Sequence, residues 1–296
     1  MPSANQSALT WPHPIQGIGR YLGSLPPLFR SRRVWPGLFA VVSIVSIACG
    51  AGGDETLEQW FQVGDSPRLV VGADNGSVLV ETGQEGTISV LSVVSNKDIV
   101  DFKATADGDV VTVRSVTSIS GSLIGGRAEG AVDLTITVPP DTVIEIGTTV
   151  GPITVKDVRA GGTITDGTGS IELRGVSGEY SGGVGAGDIR IVDGDGTFRF
   201  TTGVGSIMFD GVMVSGGSNE FETGAGDVTV TFSEGVGVEI DATTSTGTIS
   251  NELTLVDELF ETSSVGAHIS GTFRDGGADL LIAVGAGSLE FSERVN

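Results

Sequence analysis

The sequence predicts an all-β protein, a parallel β-solenoid of about eight rungs of 18–21 residues preceded by a small β-domain cap. Three observations predict this class. A short phrase, made of a glycine, a polar residue and an aliphatic strand, recurs eight times in the C-terminal half. Glycine supplies 47 of the 296 residues, more than twice its usual share of roughly 7%. Apolar and polar residues alternate over most of the chain, as they do in half-buried strands.

Residues 1–49 have the composition of a secretory leader. They carry four arginines and no acid, and an apolar run at residues 37–48 leads to Cys49, the single cysteine of the chain. A basic start, a short apolar run and small residues before a cleavage point are typical of a signal peptide. The apolar run of 12 residues is shorter than the roughly 20 that a membrane-spanning helix needs.

The sequence Ser46-Ile47-Ala48-Cys49 resembles the bacterial lipoprotein signal, in which the cysteine is lipidated and becomes the new N-terminus. Ser46 departs from that signal, which usually has leucine there, and conventional cleavage could also use Ser46 and Ala48 as its small residues. A solitary cysteine favours lipidation, because exported proteins with disulfides carry an even set. We therefore expect an extracytoplasmic protein that a lipid on Cys49 anchors to the membrane, with residues 50–56 as a flexible tether.

The charge distribution argues against two kinds of partner. All 37 acidic residues follow Cys49, together with 12 of the 16 lysines and arginines, so this part of the chain has a net charge of −25. Nucleic acids and anionic lipid headgroups are bound by clustered lysines and arginines. We predict that neither binds to the surface of this protein.

The sequence of residues 57–140 lacks the glycine repeat and predicts short strands. The turn pairs Asn75-Gly76 and Asp107-Gly108 separate alternating stretches, a pattern typical of β-hairpins. We expect these strands to form a small β-domain that covers the first rung, because an open end would expose unpaired backbone groups. Pro139-Pro140 ends this domain, since proline cannot donate to a ladder, and the repeat domain is predicted over residues 141–296.

The repeats predict two internal apolar ladders. In each repeat the aliphatic residues one and three positions after the polar residue share a face, because a strand has a period of two. Asn251 and Gly271 interrupt this pattern, so the sixth and seventh rungs are expected to be the least regular. Glu172 and Arg190 are outward neighbours and are expected to form an ion pair. The anchors, 18 to 21 residues apart, are Gly151, Gly169, Gly187, Gly205, Gly226, Gly247, Ala267 and Gly287.

The stretch Val132–Asp141, followed by a string of Gly-x-Gly-Asp/Ser-Ile units, resembles the bacterial putative adhesin family. That family is a domain of unknown function that forms a β-solenoid in envelope proteins. The resemblance extends from Arg68 to Phe291. It implies an extracytoplasmic module that is adhesive or related to envelope stress, and it carries over no catalytic residue.

The residue inventory predicts no catalytic residue, metal site or cofactor. His268, the one histidine after Cys49, occupies the polar position of the seventh repeat, where a structural corner role is simpler than that of a catalytic base. Asp188 and Asp227 are two rungs apart, roughly 9.6 Å by strand spacing, which is too far to share a calcium ion. They are expected to accept backbone N–H bonds at corners. Gly182–Asp188 resembles the calcium-binding nonapeptide, but its aspartate falls one position late.

The sequence therefore predicts a non-enzymatic scaffold with an unidentified protein or polymer partner. One alternative is a regulatory domain that senses envelope stress through a protein partner. Another is a polysaccharide-acting β-helix enzyme, which an outward cluster of acids and an arginine on adjacent rungs would favour. No sugar-binding platform is predicted, because the aromatic residues of the repeats have the parity of the core. These residues are Tyr180, Phe198, Phe221 and Phe260.

Overall fold

The computed structural model describes residues 54–118, 130–233, 235 and 237–294, together with the backbone of residues 43–47. Every described element is a strand, which confirms the predicted all-β class. None of the described residues forms a helix long and apolar enough to cross a membrane. Cys49, the predicted lipidation site, lies outside the described residues, as does most of the predicted leader.

The strands are numbered in chain order. The first eleven are β1 Ser43–Ile47, β2 Glu55–Gln62, β3 Arg68–Asn75, β4 Val78–Thr82, β5 Thr87–Ser95, β6 Val100–Asp107, β7 Val110–Thr117, β8 Ala131–Val138, β9 Val143–Val150, β10 Ile153–Lys156 and β11 Gly162–Thr168. The others are β12 Ile171–Arg174, β13 Ser177–Ala186, β14 Ile189–Val204, β15 Ile207–Met213, β16 Ser218–Ala225, β17 Val228–Phe232, β18 Gly237–Thr246, β19 Ile249–Asn251, β20 Leu255–Thr262, β21 Ala267–Phe273, β22 Gly277–Ala286 and β23 Leu289–Glu293.

Two long rows of parallel strands run through the molecule. The first row has the spatial order β8, β4, β10, β12, the start of β14, β15, β17, β23 and β19. The second row has the order β7, β3, β9, β11, β13, the end of β14, β16, β22 and β18. Equivalent positions of neighbouring repeats lie side by side, and Ile189 for example lies between Ile171 and Ile207. We call one strand of each row at the same level a rung.

Strand orientation is mixed, and antiparallel pairs also occur within residues 141–296, where the sequence predicts a parallel solenoid. Beyond β8 the first row continues with β5, β2 and β1, each antiparallel to its neighbour. The second row continues with antiparallel β6 at one end and with antiparallel β21 and β20 at the other. Two of these antiparallel pairs, β6–β7 and β20–β21, are consecutive strands joined by short turns, as in a hairpin.

The spatial order of the rungs differs from their order in the chain at both ends. The pair β3 and β4 lies between the pairs β7–β8 and β9–β10. At the other end, β22 and β23 lie between β16–β17 and β18–β19. The expected seventh rung at Ala267 is wrong, because Ala267–Phe273 forms the antiparallel strand β21. The last anchor, Gly287, therefore lies next to Gly226.

The core lies between the two rows. Aromatic rings from both rows contact one another in series, with centroid distances of 6.2 Å from Tyr180 to Phe198, 5.4 Å from Phe198 to Phe209 and 5.7 Å from Phe209 to Phe221. All four side chains are fully buried. The Tyr180 hydroxyl donates to the carbonyl of Val158 at 2.9 Å, which satisfies the one polar atom in this cluster.

One predicted core residue is not buried. Phe260 has the inward parity, since it lies beside the buried Ile269, but it is 48% exposed. The reason is the position of β20 in the fold. Strands β18 and β19 form the last rung, and β21 and then β20 follow β18 in the second row. Among the described residues, β20 has β21 as its one strand neighbour. Phe260 therefore extends the core face past the point where the first row covers it.

A column of buried polar residues follows the core of the second row. The hydroxyls of Thr202, Thr223 and Thr244 donate to anchor carbonyls of neighbouring rungs at 2.8–2.9 Å. Asp166 occupies the same column and is 4% exposed. Its Oδ1 accepts the Thr148 hydroxyl at 2.7 Å, and its Oδ2 is buried without a hydrogen-bond partner. Burial raises the pKa of Asp166, and this outweighs the hydrogen bonds that lower it, the strongest of which comes from the Thr148 hydroxyl.

Replacing Asp166 with asparagine is expected to flatten the pH dependence of stability. The carboxyl has a raised pKa in the fold, so the folded state holds its proton at pH values where the unfolded chain has lost it. The free energy of unfolding therefore falls as the pH rises from about 3.8 towards the raised pKa. Urea titrations of both proteins across this window measure the slope.

Asp166→Thr provides the matched control, because threonine is the residue that the fold uses elsewhere in this column. This variant is expected to be more stable than the wild type at neutral pH, since it removes a carboxyl whose charged form is disfavoured by burial. An unchanged slope in Asp166→Asn would contradict the assignment of this pH dependence to Asp166.

Candidate functional site

The polar residues that follow the anchors form hydrogen bonds between rungs. The Asp188 carboxylate accepts the backbone N–H of Ser206 at 2.8 Å, and the Ser206 hydroxyl oxygen accepts that of Asp227 at 3.2 Å. The Asp227 carboxylate in turn accepts the N–H of Ser288 at 2.7 Å. Both aspartates accept a backbone N–H, as predicted, but the donors lie on neighbouring rungs and not in the turns of the aspartates themselves. The same residues that repeat in the sequence are therefore occupied in holding the rungs together.

Replacing Asp188 with alanine is expected to lower the free energy of unfolding by about 1 kcal/mol, the net value of a hydrogen bond. Asp188→Ser is the matched control, because serine accepts the corresponding bond at Ser206. Thermal unfolding of the two variants separates the hydrogen bond from other effects of the substitution. Equal losses in the two variants would show that the corner bond contributes little.

His268 lies on the outer face of the second row and not at a corner, so its predicted position is wrong. Its strand runs antiparallel to β18, and His268 Nε2 lies 2.9 Å from Asp241 Oδ1. Both side chains are partly exposed. Among the described residues, no three histidine, cysteine, aspartate or glutamate side chains lie close enough together to hold a metal ion.

The predicted ion pair between Glu172 and Arg190 is present on neighbouring strands, with 3.9 Å between Oε1 and Nε. Arg174, two residues along the strand from Glu172, is the closer partner of that carboxylate. All three side chains are partly exposed, so the cluster contributes little to stability. It holds one acid between two arginines.

A second charged cluster, which the sequence analysis missed, joins the C-terminal segment to the repeats. Arg294 Nη2 lies 3.0 Å from Asp193 Oδ1 and 2.5 Å from Asp210 Oδ2. Asp210 and Asp193 raise the pKa of Arg294 by accepting its hydrogen bonds. The backbone N–H of Arg294 also donates to the carbonyl of Phe232. Residues 193 and 294 are far apart in the sequence and meet only in the folded protein, so no local sequence pattern predicts this cluster.

The C-terminal edge, defined as strand β20 (255–262), exposes apolar residues together with acids. Val256, Leu259 and Phe260 are 57%, 48% and 48% exposed. Asp257 and Glu261 lie on the same strand and are exposed as well. A groove of about 440 Å³ lies beside this edge on the outer face of the second row. Its lining includes Glu239, Asp241, Asp257, Thr272, Asp279 and Leu281.

No family model matches the chain, and no curated protein matches it. Several solved structures are similar to this chain.

One similar structure, a putative cell adhesion protein from Clostridium sporogenes, has 14% sequence identity and a TM-score of 0.37, and covers 80% of this chain and 99% of its own. A putative adhesin from Bacteroides fragilis has 11% identity and a TM-score of 0.44, with coverage of 80% and 96%. A putative lipid binding protein from Parabacteroides distasonis has 9% identity and a TM-score of 0.33, with coverage of 83% and 98%.

Proposed function

We propose that this chain is an extracytoplasmic, lipid-anchored, adhesin-like scaffold that binds a protein or polymer partner and has no catalytic activity. In this proposal the two parallel rows form a β-solenoid that holds its outer surfaces in fixed positions. The observation that carries the proposal is that the repeated polar residues form hydrogen bonds between rungs. Asp188, Ser206 and Asp227 accept backbone hydrogen bonds between rungs, so the residues that repeat serve the scaffold.

The N-terminal sequence supports the extracytoplasmic part of the proposal. Residues 1–49 have the charge pattern of a secretory leader and end at the only cysteine. A lipid on Cys49 would hold the folded part at the membrane surface through the short glycine-rich segment Gly50–Gly53. The net charge of −25 after Cys49 supports a partner other than nucleic acid.

Cys49→Ala is expected to abolish membrane retention and the added mass of a diacylglyceryl group. The experiment expresses the full chain in a bacterial host with lipoprotein processing, and measures intact mass and partition between membrane and soluble fractions. Ser43→Ala, which leaves the cysteine in place, is the control for changes in the leader. A wild-type product of unmodified mass in the soluble fraction would contradict the lipid anchor.

One observation favours a second candidate, a polysaccharide-acting enzyme. Asp193, Asp210 and Arg294 form an outward cluster of two acids and an arginine, the arrangement that favours this candidate. Both acids are engaged by the same guanidinium nitrogen, which fits a structural role at the C-terminus better than a pair of free carboxylates. Release of reducing ends from acidic polysaccharides by the wild type, and its loss in Asp210→Asn, would establish the enzyme instead of the scaffold.

A further inference from the structure

We propose that the C-terminal edge binds an extended polypeptide segment that carries lysine or arginine, by adding it as a strand next to β20. This inference deepens the proposed interaction role and rests on it. The first reason is backbone availability. Within the described part of the chain, β20 pairs with β21 alone, so the opposite side of the strand presents its N–H and C=O groups to a new strand.

The regular part of the edge is the segment Leu259–Thr262. A register shift between Val256 and Leu259 interrupts the pairing with β21, and Asp257 has a φ of +54° there. From Leu259 onwards each residue pairs in simple antiparallel register with β21. A bulge of this kind bends the strand and limits pairing at its own position, so an added strand would align with Leu259–Thr262.

The side chains of this segment define what an added strand needs on each face. Phe260 lies beside the buried Ile269 and therefore points to the core side, yet it is 48% exposed. An apolar residue of the incoming strand would cover it and extend the core by one strand. Leu259 and Glu261 point to the outer face, so this face carries one apolar and one acidic side chain. A strand with apolar residues on the core side and cations outward therefore fits.

Charge selects a cationic partner over a second copy of this chain. Strands β18, β20 and β21 contain no lysine or arginine. Two copies paired through β20 would bring their acids together, and like charges on neighbouring strands destabilise a sheet. The acids of these strands are Glu239, Asp241, Asp257, Glu258 and Glu261.

Edge protection is the alternative explanation of the acids and the bulge, since natural sheets use charges and bulges to prevent unwanted pairing. It does not explain the apolar residues. A strand built only to repel neighbours would not expose Val256, Leu259 and Phe260 at about half of their surfaces. Acids at an apolar edge exclude most strands but attract a cationic one, which is the combination expected of a selective binding edge.

The test uses a fluorescent peptide of alternating lysine and valine as the probe, and the full processed protein. Binding is measured by anisotropy at several salt concentrations, and amide hydrogen exchange locates the site. We expect binding that weakens with salt, and slower exchange at Leu259–Thr262 when the peptide is present. The double variant Glu258→Lys/Glu261→Lys is expected to weaken binding at least tenfold. The reason is that two attractive charge contacts at the surface become repulsive.

The matched control is Asp65→Lys/Asp141→Lys, which makes the same change in charge at two exposed residues away from β20. It is expected to change the affinity less than twofold. Phe260→Thr keeps a strand-forming residue but removes the apolar ring. It is expected to weaken binding at high salt, where the charges are screened and the wild type binds mainly through the apolar contact with Phe260. A peptide of alternating glutamate and valine is expected not to bind.

Several results would overturn the proposal: no binding of the cationic peptide, equal losses in the two charge-reversed proteins, or protection from exchange elsewhere. Concentration-dependent dimers that disappear in Phe260→Thr would assign the edge to a second copy and would also overturn it. The proposed function has its own test in the Cys49→Ala fractionation. An anchored protein that fails to bind the peptide would therefore remove only the inference about this edge.

Discussion

Replacing Gly187 with alanine is expected to lower the free energy of unfolding by about 3 kcal/mol or more. Gly187 has a φ of +147°, which L residues rarely adopt, and an added Cβ would lie 1.4 Å from the carbonyl oxygen of Gly169. The carbonyl belongs to the backbone of the neighbouring rung, so it cannot move without disturbing the parallel pairing. Urea unfolding followed by circular dichroism measures the loss.

Gly216→Ala is the matched control for this experiment. Gly216 also has a positive φ, +77°, but an added Cβ would have no atom within 4 Å. This variant is expected to lose about 1 kcal/mol, the cost of the backbone conformation alone. Similar losses at Gly187 and Gly216 would show that the close approach between rungs does not limit stability.

Phe209→Ala is expected to destabilise the fold by about 3–5 kcal/mol. The Phe209 ring is fully buried and lies in the first row. Its centroid lies 5.4 Å from that of Phe198 and 5.7 Å from that of Phe221, both in the second row. Its removal leaves a cavity between the two rows that backbone hydrogen bonding prevents from closing. The expected loss is measured by urea unfolding.

Met208→Ala tests whether the loss at Phe209 comes from the core. Met208 is the preceding residue, lies on the opposite face of the same strand and is 37% exposed. Its substitution is expected to change the free energy of unfolding by no more than about 0.5 kcal/mol. A loss at Met208 as large as that at Phe209 would contradict the division of β15 into a core face and an outer face.

The anchors show why part of this fold could be predicted from the sequence. Glycine is required wherever a positive φ coincides with a close backbone approach, and Gly187 meets both conditions. The alternation after each anchor places Ile189 and Ile191 on the core face, and both are buried. The sequence also predicted that Asp188 accepts a backbone N–H. The donor, Ser206, lies on the neighbouring rung and not in the turn beside Asp188.

The positions of Ala267 and His268 show where the same logic fails. The phrase Ala267-His268-Ile269 has the pattern of a repeat, yet it lies in an antiparallel strand at the outside of the second row. A period of two specifies which side chains face inwards, and Ile269 is indeed buried. It does not specify the direction of the neighbouring strand, because parallel and antiparallel strands can both bury the same alternating face.

By itself, the sequence determined the all-β class, the inward face of each repeat, the glycine anchors and the aspartate corners. The first three properties depend on the conformation of one residue or on the period of a strand, and the aspartates were predicted only as acceptors, since their donors lie on neighbouring rungs. Only the tertiary structure decided the order of rungs at the two ends, the antiparallel edges, the Arg294 cluster and the exposure of Phe260. Strands with nearly the same pattern compete for the same neighbours, and their final places follow from how the intervening chain closes and from which edges become covered.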